Sequence, residues 1–142
     1  MMTYETVSVV WDALRNRLLE KAKGLSDEDL KLKLGEATIG RLLFHTGEVE
    51  YYFADWYFDK KSDEIPKPTL TSIDELVAYL ETSNRFLKAA MEELPEVAWK
   101  EEKETQMGTS TPLEAVGRLM YHAGIHAGQI TDVKKFGSRV SE

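Results

Sequence analysis

Along the chain, long stretches with apolar residues every three or four positions alternate with shorter polar or proline-bearing stretches, and that period predicts amphipathic helices. From Thr3 to Lys23, Val7, Val10, Trp11, Leu14, Leu18 and Leu19 form one stripe, with Arg15, Arg17, Glu20 and Lys21 outside it and Gly24 as a stop. Ser26 to Asp29 reads as the cap of a short helical turn ending near Leu30, and Lys31 to Ala37 as loop. A second helix opens at the N-cap Thr38 and runs to Phe58 or Asp59, with Ile39, Leu42, Leu43, Val49, Tyr52, Phe53 and Trp56 facing inward. Tyr51, Tyr57 and Phe58 make its C-terminal half aromatic nearly all round. Either a partner subunit or a broad core within the chain has to cover it.

The polar stretch from Lys60 to Thr71 carries Pro66 and Pro68. At ~3.3 Å per residue it can run the length of a ~20-residue helix, so a long crossover is permitted and a hairpin is not required. Ser72 and Glu75 have the spacing of a capping box for a third helix, which continues through Leu76, Leu80, Leu87 and Met91 to Leu94, where Pro95 ends it. Glu96 to Ser110 reads as a long charged surface loop with a short hairpin around Trp99 and Met107. The fourth helix has the strongest start: Thr111 as N-cap, Pro112 in the first position and Glu114 completing the box, with Gly137 as the stop. Gly117, Gly124 and Gly128 lie inside it, each costing ~1 kcal/mol against alanine. Close approach of another helix is expected at two or more of them, and room for a ligand is the alternative. With no repeat or linker in view, four such helices predict an all-α four-helix bundle, one domain over residues 1–142.

Composition narrows the picture. Hydrophobic content of 42% beside 30% charged residues is that of a soluble globular chain. No window approaches the ~18 apolar residues of a membrane span, and the N-terminal residues lack the regions of a signal peptide, so a cytoplasmic location is expected. A net charge of -7 argues against nucleic acid or an anionic membrane as partner. The absence of cysteine excludes disulfides, thiolate ligands and a cysteine nucleophile, so any thiol chemistry must use a thiol from outside the chain.

The candidate chemistry lies in the histidines. His122 and His126 stand four residues apart on the fourth helix and leave the same face, the spacing with which a helix offers two nitrogens to one metal ion. Ordinary surface or core residues also occur at this spacing. His45, the third histidine of three, follows Leu42, Leu43 and Phe44 on a stretch that must border the core, where a hydrogen-bonded core histidine is the plain alternative. Together the three imidazoles make the ligand set of a catalytic zinc site with one position left for water.

Thr38-Ile-Gly-x-Leu-x-x-His45 followed by Glu48-Val-Glu50, with His122-x-x-x-His126-x-Gly-Gln-Ile130 later, resembles the two signatures of the DinB-like (DinB/YfiT) superfamily. The resemblance implies a bundle of up-down-down-up order with long crossovers, a homodimer, and a divalent metal held by His45, His122 and His126. Members of known activity use a metal-activated low-molecular-weight thiol, as in bacillithiol-type transferases and a mycothiol-dependent maleylpyruvate isomerase, so the resemblance implies a small electrophilic substrate. Many members have no assigned reaction, and the site is implied more firmly than the substrate.

Around the histidines, Glu48 shares the face of His45 and suits a fourth ligand, a hydrogen-bond partner of that imidazole or a general base, with an ordinary exposed glutamate as the alternative. Glu50 is expected in solvent. Gln129 falls on the face of His122 and His126, to bond a metal-bound ligand or to cap a buried polar gap. Arg41 and Arg118 each precede a histidine by four residues and suit a substrate carboxylate, or a solvated or salt-bridged role. Tyr121, about 100° around the helix from His122, is left out of the site. The expected cofactor is one divalent ion per chain, zinc or nickel first, with copper, iron or manganese open, since imidazole suits several metals. A thiol-dependent transferase leads; a hydrolase using bound hydroxide and a non-catalytic metal- or ligand-binding stress protein are the alternatives.

Overall fold

The computed structural model describes residues 2–139, so the ends of the expected 1–142 domain, residues 1 and 140–142, lie outside the described part. Four long helices make up most of it: α1 (Thr3–Lys23), α2 (Ile39–Phe58), α3 (Ile73–Glu93) and α4 (Pro112–Phe136). Their starts are set by local chemistry. Thr38 Oγ1 accepts the Arg41 N–H at 3.1 Å, and Thr111 and Glu114 exchange the reciprocal pair of a capping box at 3.1 and 3.0 Å. The box expected at α3 forms by half: Ser72 Oγ accepts from the Glu75 N–H, but the Glu75 carboxylate takes the Thr69 N–H instead, tying down the incoming crossover.

Contacts along the helices fix their order. Gly47 meets Tyr79, Glu50 meets Ser83 and Lys60 meets Glu93, numbers that rise together, so α2 and α3 run parallel. Trp11 to Asn84 and Arg15 to the Leu80 carbonyl run oppositely and make α1 and α3 antiparallel. Lys21 reaching Thr131 aligns α1 with α4, and His45 beside His122 sets α2 against α4. The order is up-down-down-up, with the 60–71 crossover joining two parallel helices. At Gly40 and Gly47 a side chain would strike the Leu70 carbonyl and the Tyr79 ring respectively, so these two glycines let the crossover and α3 close onto α2.

Two apolar clusters fill the bundle. One gathers Trp11, Phe53, Tyr57, Phe58, Leu87, Met91, Trp99 and Leu119; the other Leu18, Ile39, Leu43, Leu76, Leu80, Ala123 and Ile130. Between them lies a polar layer that the apolar pattern concealed. Arg15, expected outside the apolar stripe, and Glu50, expected in solvent, are each 1% exposed. The guanidinium donates from Nε and Nη2 to the two carboxylate oxygens at 2.7 and 3.0 Å, and Nη2 also reaches the Leu80 carbonyl at 2.7 Å. Ser83 Oγ donates to Glu50 at 2.6 Å, so the buried carboxylate is held from two other helices. The inner stripe of α1 is thus Trp11, Arg15, Leu18 and Ala22, while Val10 faces out.

Other expectations shift in register. Tyr51, Tyr57 and Phe58 are buried within the chain, the broad-core alternative, whereas Tyr52 is turned out and 38% exposed. Trp99 is not in the hairpin; it sits on a 3-10 turn (Glu96–Lys100) and plugs the first cluster, its ring 5.5 Å from that of Phe58. The hairpin lies just beyond, β2 (Lys103–Thr105) against β3 (Gly108–Ser110). The 31–37 stretch is not all loop: β1 (Leu32–Lys33) pairs antiparallel with β4 (Ser138–Arg139), which follows α4. A side chain at Gly117, Gly124 or Gly128 would meet open space, so among the described residues no other helix approaches there. Among the described residues no helix is long and apolar enough to cross a membrane.

Candidate metal centre

His45 projects from the middle of α2, and His122 and His126 from successive turns of α4, which lies antiparallel beside it. One ring nitrogen from each lies within 4.8 Å of the others. His122 Nε2 and His126 Nε2 are 2.9 Å apart. The rings of His45 and His122 meet edge to face at 5.1 Å, and those of His45 and His126 at 5.5 Å. All three are half-buried, which leaves the cluster reachable from one side.

The other ring nitrogens are anchored. His45 Nδ1 lies 3.3 Å from Glu48 Oε1, and His126 Nδ1 lies 2.6 Å from Gln129 Oε1. Both partners are acceptors, so each imidazole carries its proton on Nδ1 and keeps the Nε2 lone pair for the cluster. Glu48 and Gln129 therefore act on the imidazoles rather than standing in solvent, an arrangement that orients metal-ligating histidines.

Electrostatics favour the same protonation state. Burial, then the neighbouring His126 and His45, pushes His122 down to about 4. Burial also lowers His126, opposed by its hydrogen bond to Gln129. At neutral pH both are uncharged, the form a metal requires. Two nitrogens on a tetrahedral ion with ~2.0–2.1 Å bonds stand ~3.3 Å apart, close to what His122 and His126 already show. The three residues fit a divalent ion.

Beside the cluster opens a cavity of about 1130 Å³, with His45 and His122 in its wall. Val49, Phe53 and Trp56 of α2 form one side, and the hairpin residues Met107 and Thr109 close another. Arg118 lies in this cavity, 3.4 Å from the Tyr57 hydroxyl, which in turn meets Thr105 Oγ1 at 3.1 Å. Arg41 does not: its guanidinium lies over the Phe44 ring at 5.3 Å, away from the cavity wall. Tyr121, left out by its angle on the helix, lines the rim. The hairpin expected around Met107 forms, but sequence reasoning did not bring it or Tyr57 to the site, although the aromatic excess of α2 was an available signal for Tyr57. Behind Glu48, the Tyr79 hydroxyl is buried without a partner among the described residues; burial, then the Glu48 charge, raises its pKa and keeps it neutral.

Four packed helices carrying three convergent imidazoles beside a cavity define a helical-bundle protein with a candidate three-histidine metal centre. The chain belongs to the DinB superfamily, whose family profile matches residues 11–130, a span that includes all three histidines. Comparison with curated proteins finds no match.

Proposed function

We propose that the protein is a divalent-metal-dependent transferase that joins a low-molecular-weight thiol to a small electrophile. The observation that carries the reading is the convergence of three imidazole nitrogens within 4.8 Å of one another at the wall of an apolar cavity. A bound divalent ion supplies Lewis acidity, which lets a thiol lose its proton near neutral pH. The residues of the chain do the rest. Glu48 and Gln129 hold the Nδ1 protons of His45 and His126, keeping both rings aimed at the centre. Phe53, Val49 and Trp56 present an apolar wall beside the reacting groups, which favours an organic thiol and its electrophile there. In the transfer, a sulfur–carbon bond forms as the carbon–leaving-group bond breaks, and the thiol proton ends on the leaving group or in solvent. No redox partner is needed, and a chain without cysteine has no internal thiol to compete.

Turnover of a model electrophile by metal-loaded protein, with and without added small thiol, tests the reading. Activity needing both metal and thiol supports transfer. A rate independent of thiol refutes it in favour of hydrolysis, and a rate independent of metal refutes both. The reading includes a homodimer, supported by one stripe of α4 on which exposed Tyr121 and Ile125 flank the open-sided Gly117, Gly124 and Gly128. Light scattering giving a monomer mass across working concentrations would remove that part.

A further inference from the structure

The cavity has two unlike ends. At one stand His45 and His122; at the other, one turn back along α4, stands Arg118. Its guanidinium has a single hydrogen-bond partner among the described residues, the Tyr57 hydroxyl at 3.4 Å, and no described carboxylate pairs with it. Glu114, one turn away in the same wall, makes no ion pair with it: its Oε1 accepts the Thr111 N–H at 3.0 Å and the Ser110 hydroxyl at 3.5 Å in capping the helix. Tyr57 is itself buried and held by Thr105, so it forms a fixed prop beneath the arginine rather than a counter-charge. Arg41, at the equivalent spacing from His45, is spent on Phe44 outside the cavity. An exposed arginine at the mouth of an apolar cavity, with no ion pair of its own among the described residues, offers a site for an anion, and its planar fork matches a carboxylate.

The wall between the two ends is aromatic. Trp56 and Tyr52 are stacked with centroids 5.6 Å apart and planes within 11°, and Phe53 packs at 6.0 Å from Trp56. Such a wall accepts a flat ring. Arg118 and His122 stand four residues apart on one face of α4, so a ligand lying along that face meets both.

We propose that the cavity binds a small aromatic carboxylate, the carboxylate on Arg118 and the ring against Trp56, with its far end turned toward the histidines. This rests on the metal-centre reading for what happens at that far end, but not for the binding itself. The cavity is larger than such a molecule requires, which leaves room for a second reactant.

Tryptophan fluorescence of the full-length protein, metal-free and zinc-loaded, titrated with 3-phenylpropionate and with neutral 3-phenylpropionamide, tests the clamp. The acid is expected to bind at least about tenfold more tightly than the amide in both forms. Arg118→Gln is expected to erase that preference while zinc uptake stays as in the parent. Equal binding of acid and amide, no saturable binding of either, or a preference that survives Arg118→Gln overturns the proposal. A preference that appears only with zinc and is lost in His122→Ala places the carboxylate on the metal and overturns it too. Binding that weakens as protein concentration rises marks a second copy of the chain as the occupant of the cavity, and it likewise overturns the proposal. Loss of zinc binding with the acid preference intact removes the metal reading and leaves the clamp standing.

Discussion

Replacing Glu50 by alanine isolates the largest buried electrostatic feature of the bundle. In the parent, Arg15 donates two hydrogen bonds to Glu50 and one to the Leu80 carbonyl, and both charged residues are 1% exposed. After Glu50→Ala the guanidinium keeps the carbonyl alone, and a full positive charge is left between two apolar clusters. Breaking a buried pair in this way costs roughly 3–5 kcal/mol, a large part of the ~5–15 kcal/mol that holds a domain folded. With ~2.1 cal/mol/K of unfolding entropy per residue over this chain, Tm should fall by roughly 10–17 °C. Removing both charges behaves differently: Arg15→Met with Glu50→Leu leaves no orphaned charge and should recover most of the loss, and the cycle closes with Arg15→Met alone. Urea unfolding followed by circular dichroism gives each free energy. A Glu50→Ala cost below ~1 kcal/mol would show the pair to be hydrated in solution and refute the buried-charge reasoning.

Further predictions concern the centre and the glycines. Glu48→Gln should weaken zinc binding by roughly 10–100-fold, because the carboxylate fixing the His45 ring is lost; calorimetric titration showing unchanged affinity would return Glu48 to a surface role. His122 has a folded pKa of about 4, below its ordinary 6.5, so the unfolded chain takes up its proton first as pH falls. Its effect on stability is therefore nil above 6.5 and grows unfavourable as pH drops from 6.5 to 4. Metal-free His122→Gln should show a shallower fall in Tm across that window than the parent, and identical slopes would contradict the assignment. Gly47→Ala should cost roughly 1–3 kcal/mol in urea unfolding through collision with the Tyr79 ring, where Gly124→Ala should stabilise the helix by up to ~1 kcal/mol. Equal effects at the two glycines would mean that the packing of α2 on α3 differs from that described.

Much of the fold was legible because helix ends are written locally. Thr38, Thr111 with Glu114, Gly24 and Gly137 mark boundaries through hydrogen bonds between near neighbours: α2 and α4 begin, and α1 and α4 end, where such residues stand. The histidine cluster was legible for a related reason: a four-residue spacing fixes one face, His45 follows an apolar run that borders the core, and the resemblance implies the same three residues. Arg15 and Glu50 were misread because a charged residue inside a stripe looks like a charged residue beside one. The signal existed, since Arg15 falls four after Trp11 and three before Leu18, but it acquires meaning only when Glu50 and Ser83 arrive from other helices. Long-range pairings fared worst. The two-residue strands at Leu32 and Ser138 are too short to alternate, and Trp99 reaches the core through a turn with no period of its own. Arg118 and Arg41 are equivalent in sequence, and the hairpin and Tyr57 separate them only in space.

The most direct test is the metal content of protein purified without a histidine tag, measured by mass spectrometry alongside His122→Ala. The account predicts roughly one divalent ion per chain in the parent after zinc loading and buffer exchange, as a three-histidine site requires, and loss of most of it in the variant with helical content unchanged. A folded parent that retains no metal, or a variant that retains as much as the parent, would contradict a metal centre at His45, His122 and His126.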